Sequence, residues 1–246
     1  MAAASQTLRQ IAIDQPSAID VFDRMGVEYC CKGWKTLQDA CSEIAISVKD
    51  VVRALDQAAA GDRVSNSRFK NKTLEFLILR ELGNQHARVK EEIPVLQAIA
   101  ATVADRYRSR HPELAVIEEL LQKLSLELTT HLAEEEVTLF PALLELELAY
   151  MGESPILGYP KRVRNILKSM SQQHDSSSAT LRQIRVASNS FCPPSRAVAS
   201  HREFYDRLQK FFRALHRDFH IENNILFPQA AQMEAEIFRG SRFSRN

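Results

Sequence analysis

The chain has 246 residues, of which 45% are hydrophobic, and its 32 Lys and Arg nearly balance its 31 Asp and Glu, giving a formal net charge of +1. This near-neutral balance gives no electrostatic reason to expect a nucleic acid partner, and the chain lacks the run of about 18 apolar residues that predicts a transmembrane helix. The first residues lack the basic and apolar regions of a secretory signal, and four cysteines do not suggest a disulfide scaffold. We therefore expect a cytoplasmic protein that binds neither nucleic acid nor membrane.

The spacing of apolar residues predicts an all-α protein. Leu74, Leu77, Ile78 and Leu82 illustrate the three- and four-residue spacing of a helix face, whereas alternating β-branched residues are scarce. Residues 1–60 are predicted to form a small helical domain, with one helix over residues 16–25 and another from Ser47 toward Ala60. Residues 61–72 are polar and basic, which indicates a linker.

Four long helical segments follow, over about residues 73–108, 112–150, 160–188 and 195–238. Breaks separate them at His111-Pro112, in the loop that contains Gly152 and Pro155, and at Pro193-Pro194, while Pro94 should kink the first helix. Four helices with short connections predict an antiparallel four-helix bundle over residues 73–238. The basic residues 239–246 are expected to form a frayed tail.

The segment from His131 to Pro141 carries the strongest chemical signal. His131 and Glu135 are four residues apart, so a helix places both side chains on one face. The end of this segment recurs at Glu222, because both glutamates are followed five and six residues later by Phe-Pro and lie 87 residues apart. The repeat indicates a doubled helical hairpin.

Candidate metal ligands occupy matching places in this repeat. His86 and His174 lie 88 residues apart, and the offset of 87 pairs His131 with Asp218. Any one of these residues alone would more commonly be a surface or hydrogen-bonded residue, but the matched offset favours a metal site. Its predicted ligands are His86, His131, Glu135, His174, Asp218 and Glu222. Imidazole and carboxylate ligands suit non-haem iron, and two bridging glutamates from opposing helices suit a di-iron centre.

His220 is a reserve ligand. It lies two residues before Glu222, which at about 100° per residue places the two side chains on opposite sides of the helix. A local π-bulge could redirect His220 toward the site.

Cys30 and Cys31 form a second candidate site. Adjacent cysteines do not form the spaced pair of an ordinary zinc site. Lys32 and Lys35 lie close in sequence and are expected to favour the thiolate form. These features favour a redox role or transient metal handling over two small core residues.

These motifs resemble those of the RIC/ScdA-type di-iron proteins that repair iron–sulfur clusters. The resemblance covers nearly the whole chain and rests on the segment Met25–Cys31, on His86 and Glu92–Leu96, on His131–Pro141, on Met170–Asp175 and on Glu222–Pro228. It implies two iron ions, with terminal ligands at His86, His131, His174 and position 218, and bridges at Glu135 and Glu222. Asp218 replaces the family's usual histidine, Gln173 a common glutamate, and Lys32 a common glycine.

The resemblance implies repair of damaged iron–sulfur proteins, by iron donation, by handling of nitric oxide, or by both. The cysteine pair would then carry iron or nitrosyl, and the di-iron centre could reduce nitric oxide as an enzyme. One alternative is a hemerythrin-like sensor of oxygen or redox state without catalysis, in which the cysteines are incidental. Another is a degenerate bundle that acts only as an interaction partner. A homodimer also stays open.

Overall fold

The computed structural model describes residues 4–59, 72–154 and 162–243, and within these ranges the chain is helical, as predicted. The N-terminal part contains four short helices: α1 (Leu8–Asp14), α2 (Ala18–Met25), α3 (Leu37–Glu43) and α4 (Val48–Ala59). The remaining helices are α5 (Leu74–Phe76), α6 (Gly83–Tyr107), α7 (Glu113–Glu134), α8 (Phe140–Met151), α9 (Arg162–Ala187), α10 (Ala199–Ile221) and α11 (Phe227–Phe243). No described helix is both long enough and apolar enough to cross a membrane.

Three π-helical turns join consecutive α-helices into longer units. They connect α5 to α6 at Leu77–Leu82, α7 to α8 at Glu135–Leu139, and α10 to α11 at Glu222–Leu226. With α9, these units are the four long helices of the predicted bundle, in which α7 packs against both α6 and α9, and α6 packs against α10. Pro94 lies inside α6, which continues through it.

The observed helix ends differ from the expected ones in three places. The first N-terminal helix of the two predicted begins at Ala18 instead of residue 16. The last bundle helix begins at Ala199 instead of about residue 195, and it continues past residue 238 to Phe243. Residues 239–243 of the predicted tail therefore belong to α11. The rest of that tail lies outside the described residues, as do the predicted linker up to residue 71 and the loop at residues 155–161.

The apolar core consists of two clusters with a polar layer between them. One cluster joins the N-terminal helices to one end of the bundle, and Phe22, Leu128 and Phe212 belong to it. The other fills the opposite end of the bundle and includes Leu143 and Leu226. The six predicted ligands belong to neither cluster, and their positions in all four long helices lie between the two sets of apolar residues.

The N-terminal helices are attached to the bundle through polar contacts beside the first apolar cluster. Asp23 of α2 accepts a hydrogen bond from His216 of α10 at 2.8 Å, and both side chains are buried. Asn224 donates to the backbone carbonyl groups of Tyr29 and Cys30 at 3.2 and 2.9 Å. These contacts hold the segment that contains the cysteine pair against the last bundle helix.

The two later π turns begin at the glutamates of the repeated motif. The Phe140 N–H donates to the Glu135 carbonyl, and the Phe227 N–H donates to the Glu222 carbonyl, so each bond spans five residues instead of four. A proline follows each phenylalanine, and a proline can neither donate the next helical hydrogen bond nor fit against the preceding turn without distortion. The repeated Phe-Pro therefore accounts for a wide turn at the same place in both helices, where the chemistry was predicted.

Glu147 of α8 anchors the start of the bundle. Its buried carboxylate accepts hydrogen bonds from the backbone N–H groups of Leu74 and Glu75 at 2.7 and 2.8 Å. These are N–H groups of a first helical turn, which have no partner within the helix, and a negative charge there also interacts favourably with the helix dipole. Glu147 thus joins the second bundle helix to the beginning of the first.

We expect Glu147→Ala to destabilise the metal-free protein by about 1–3 kcal/mol, because it leaves buried backbone donors without an acceptor. Denaturant unfolding monitored by circular dichroism measures this loss. Glu119→Ala, at an exposed position on α7, is the matched control and should change the free energy of unfolding by no more than about 0.5 kcal/mol. Equal effects of the two substitutions would contradict the anchoring role.

Candidate metal centre

All six predicted ligands are buried at the centre of the bundle, with 2% or less of each residue exposed. Their donor atoms form two overlapping groups, within each of which the atoms lie no more than 4.8 Å apart. One group contains His131, Glu135, His174 and Glu222, and the other contains His86, Asp218 and Glu222. Glu222 belongs to both, so the six side chains form one connected cluster.

The two glutamates each reach histidines on both sides of this cluster. Glu135 Oε2 lies 3.4 Å from His86 Nε2 and 3.3 Å from His131 Nε2. Glu222 Oε2 lies 3.1 Å from His174 Nε2, while its Oε1 lies 3.8 Å from His86 Nε2. Both carboxylates are therefore placed between two sets of imidazole nitrogens, as bridging ligands would be.

A polar oxygen outside the cluster orients each of the three histidines. The Nδ1 atom of His131 lies 3.0 Å from Gln173 Oε1, and that of His174 lies 3.0 Å from Asn223 Oδ1. His86 Nδ1 lies 3.1 Å from Glu136 Oε1. Because these oxygens only accept hydrogen bonds, each Nδ1 donates to its oxygen, and each Nε2 is the ring nitrogen that faces the cluster.

The carboxylates influence one another electrostatically. Burial and the neighbouring charge of Glu222 raise the pKa of Glu135 to about 7, and the same two causes raise the pKa of Asp218 well above its ordinary value. Burial opposes ionisation of Glu222 as well, but hydrogen bonding to His174 and interaction with His86 outweigh it, so the pKa of Glu222 is lowered. Three buried carboxylates thus cannot all ionise easily without additional positive charge.

The pKa values of the three histidines shift in different directions. Burial and the neighbouring His174 lower the pKa of His131 to about 4. Burial also acts to lower the pKa of His86 and of His174, but the adjacent carboxylates outweigh it. They raise the pKa of His86 to about 9 and that of His174 well above its ordinary value.

Several buried donor atoms in the cluster have no hydrogen-bond partner among the described residues. They are His86 Nε2, Glu135 Oε1 and Oε2, Asp218 Oδ1, and Glu222 Oε1 and Oε2. In addition, the Nε2 atoms of His131 and His174 lie 2.9 Å apart, because both nitrogens face the same space. Unsatisfied buried polar atoms are costly, and cations bound by the two ligand groups would provide partners for these atoms. The donor set therefore fits a metal centre.

His220 lies outside both groups of potential ligands. Its Nδ1 lies 3.2 Å from Asn224 Nδ2, and its ring packs against Tyr29 with ring centroids 5.4 Å apart. The π turn begins only at Glu222, after His220, so it does not turn this side chain toward the cluster. The structure thus places the reserve ligand on the face that contacts the N-terminal helices, as the helical periodicity predicts.

Cys30 and Cys31 lie beside the cluster but in different environments. Cys30 is fully buried and donates a hydrogen bond from its thiol to Cys31 at 3.8 Å. Cys31 is partly exposed, lies 3.0 Å from Ser178 Oγ, and lines a pocket of about 510 Å³ together with Trp34 and Asp175. The pair therefore connects a surface pocket with the interior.

The expectation that two lysines favour the thiolate is wrong. Lys32 pairs with Glu28 and Glu43, and Lys35 also pairs with Glu43. The pKa of Cys31 is instead lowered by the hydrogen bond from Cys30, with burial opposing, and further by the positive charge of His174 and the hydrogen bond with Ser178. The hydrogen bond to Cys31 and burial raise the pKa of Cys30 well above its ordinary value. One thiol, Cys31, is thus the preferred thiolate.

Comparison with known proteins identifies the family of the bundle that contains this cluster. The hemerythrin HHE cation binding domain matches residues 77–230, which include all six predicted ligands. The chain belongs to the hemerythrin HHE family. A second model, ScdA_N, described as a domain of unknown function, matches residues 4–59. Residues 4–59, which contain the cysteine pair, thus match a family model of their own.

Several proteins are similar to this chain over nearly the whole length of both sequences. A probable iron-sulfur cluster repair protein of Haemophilus influenzae is 26% identical over 93% of this chain and 98% of its own. The iron-sulfur cluster repair protein ScdA of Staphylococcus haemolyticus is 25% identical over 89% and 94%, and the iron-sulfur cluster repair protein YtfE of Escherichia coli is 26% identical over 94% and 98%. The predicted resemblance to iron–sulfur cluster repair proteins is confirmed.

Sequence reasoning did not identify two residues that orient the ligands, Glu136 and Asn223. Each directly follows a glutamate of the repeated motif, and each accepts a hydrogen bond from a histidine on another helix. The sequence shows that they lie next to Glu135 and Glu222, but the histidine that each contacts depends on how the helices pack. Asn223 also donates toward Cys31 Sγ at 3.6 Å, so it lies between the cluster and the cysteine pair.

We expect Asn223→Ala to weaken metal binding by about 10- to 100-fold, because it removes the oxygen that orients His174. Competition between the protein and a coloured chelator for Fe²⁺ under anaerobic conditions measures the affinity. Asn84→Ala, at an exposed asparagine on α6, is the matched control and should leave the affinity unchanged. An Asn223→Ala protein with the affinity of the unsubstituted protein would show that this hydrogen bond does not support the metal centre.

Proposed function

We propose that this protein holds two non-haem iron ions and repairs iron–sulfur clusters that oxidation or nitrosation has damaged. The observation that carries this proposal is the placement of Glu135 and Glu222, each of which reaches histidines on both sides of the cluster. One carboxylate shared by two ligand groups is what a carboxylate-bridged pair of metal ions requires. The matches to proteins named for iron–sulfur cluster repair support the same function.

Each ligand has a distinct role in the proposed centre. His86, His131, His174 and Asp218 would be terminal ligands, and Glu135 and Glu222 would bridge. The two irons would supply a redox change and a binding place for nitric oxide or oxygen. The outer hydrogen bonds hold the imidazoles in the tautomer that binds metal, and the two apolar clusters exclude bulk water on either side.

Cys31 is the residue proposed to exchange iron or nitrosyl with the surroundings. Its pKa is lowered, so it is the better nucleophile and metal ligand of the pair. It lines the surface pocket, and Asn223 lies between it and His174. Cys30 has the supporting role of donating a hydrogen bond to the Cys31 sulfur. The proposed substrates are damaged iron–sulfur proteins of the cytoplasm.

We expect anaerobically loaded protein to contain about two irons per chain and to restore an iron–sulfur dehydratase that nitric oxide has inactivated. Glu135→Gln removes the charge of one bridge and should lower the iron content to about one or less. Cys31→Ser should retain the iron but lose most of the repair rate, because the thiolate is gone. Metal analysis and recovery of dehydratase activity measure the two effects separately.

Cys192→Ser is the control, since Cys192 is an exposed thiol in the loop after α9, and it should keep both the iron and the repair rate. Protein that retains no iron after anaerobic reconstitution would refute the di-iron proposal. Reversible oxygen binding that persists when both Cys30 and Cys31 are replaced, with no repair by the unsubstituted protein, would favour a hemerythrin-like sensor instead.

A further inference from the structure

Asp218 makes the two sides of the metal centre chemically different. His131 and His174 belong to one group of potential ligands, which we call the two-histidine half-site. His86 and Asp218 belong to the other, the one-histidine half-site. Glu222 belongs to both groups, and Glu135 of the two-histidine half-site also lies 3.4 Å from His86 Nε2. The main difference between the half-sites is therefore the exchange of one imidazole for one carboxylate. Imidazole suits iron, whereas carboxylate oxygen suits harder ions such as Mg²⁺ and Mn²⁺.

The ligands of the two-histidine half-site are held by groups that make further contacts of their own. Gln173, which orients His131, also donates to the exposed Glu134 at 2.7 Å. Asn223, which orients His174, also donates toward the Cys30 carbonyl at 3.4 Å. His174 is further enclosed by the stacked rings of Phe219 and Phe227, with centroids 4.4 and 5.7 Å away. These contacts fix the imidazoles before any metal binds.

The ligands of the one-histidine half-site have weaker support. Glu136, which orients His86, has a side chain that is 39% exposed and pairs with Lys90, itself 49% exposed. Ion pairs between exposed side chains contribute little in water. Asp218 Oδ1 has no hydrogen-bond partner among the described residues, so no contact there fixes the orientation of that oxygen. Less of the binding geometry is fixed in advance on this side.

We propose that the one-histidine half-site holds the more exchangeable iron, and that this ion is the one delivered to damaged clusters. The inference rests on the proposed function, because it identifies which of the two irons is the cargo. Asp218 is then the residue that makes one iron releasable, while the two-histidine half-site retains the other. Delivery of the exchangeable iron would leave Glu135 and Glu222 in place, bound to the retained ion and available to bind the next one.

Release of iron from the fully loaded protein to a ferrous chelator tests the first part of this inference. We expect two kinetic phases of about equal amplitude. Asp218→His should slow the fast phase by about 10- to 100-fold, the range that a change in a metal's ligand environment commonly produces. His131→Asp, the reciprocal change, should accelerate the slow phase and leave the fast one unchanged. Asp206→His, at an exposed aspartate on the same helix, should alter neither phase.

Far-UV circular dichroism shows whether each variant is folded. Asp218→Asn, which keeps the size of the side chain, provides a second test, because this substitution should accelerate the fast phase. One release phase for both irons, or a fast phase that neither Asp218→His nor Asp218→Asn changes, would overturn the inference.

Isotope transfer tests the second part. Brief exchange against labelled Fe²⁺ should place the label in the fast-exchanging half-site, and a repaired dehydratase should then contain mostly labelled iron. If the ratio of labelled to unlabelled iron in the repaired dehydratase equals the ratio in the loaded protein, the inference is overturned and the proposed function stays intact. If the dehydratase receives no iron from either half-site, iron donation itself is refuted.

Discussion

The burial of three carboxylates among three imidazoles is the constraint on which the rest of this structure depends. Removing an unpaired charge from water is strongly unfavourable, yet Glu135, Asp218 and Glu222 lie together between two apolar clusters. Their opposing pKa shifts show that the side chains compensate one another only in part. Bound cations would supply the missing positive charge, so metal binding and stability of this layer are expected to be linked.

The wide helical turns adapt the bundle to this constraint. Glu135 and Glu222 each begin a π turn, and each π turn is followed by Phe-Pro. Local sequence thus produces the same irregularity at the same depth in two helices. The phenylalanines also contribute to the site, because the Phe140 ring packs against His86 and the Phe227 ring stacks on His174. The motif that widens the turn therefore also places an aromatic ring against a histidine on another helix.

Much of this arrangement could be predicted from the sequence because it depends on periodicity and repetition. Helical spacing predicts the all-α fold, and the repeat of 87 residues leads to Asp218, which carries no signature of its own. The contacts that cross between helices could not be predicted in this way. Glu136 and Asn223 orient His86 and His174, which lie 50 and 49 residues away in the chain, and only helix packing determines those pairs.

The prediction that Lys32 and Lys35 favour the thiolate was wrong for the same reason. Lys32 and Lys35 are near the thiol in sequence, but glutamates on the N-terminal helices and the segment between them neutralise their charges. Proximity along a chain does not establish which charges act on a titrating group. His174, 143 positions further on, has the larger effect on the Cys31 thiol, because packing brings α9 and the cysteine segment together.

The close contact between the N-terminal segment and the bundle explains why the cysteine pair lies beside the ligand cluster. A side chain at Gly33 would place a Cβ atom 2.0 Å from Asn224 Oδ1, so glycine is needed for the two segments to approach this closely. Asn224 in turn binds the carbonyl groups of Tyr29 and Cys30, and the neighbouring Asn223 contacts both His174 and Cys31. Two consecutive asparagines after a predicted bridging glutamate thus perform separate tasks. Asn224 holds the N-terminal segment, and Asn223 contacts both the Cys31 thiol and His174, a predicted metal ligand. The helical turn that begins at Glu222 therefore also determines the position of Cys31. A displacement of that turn would move both the ligand cluster and the thiol.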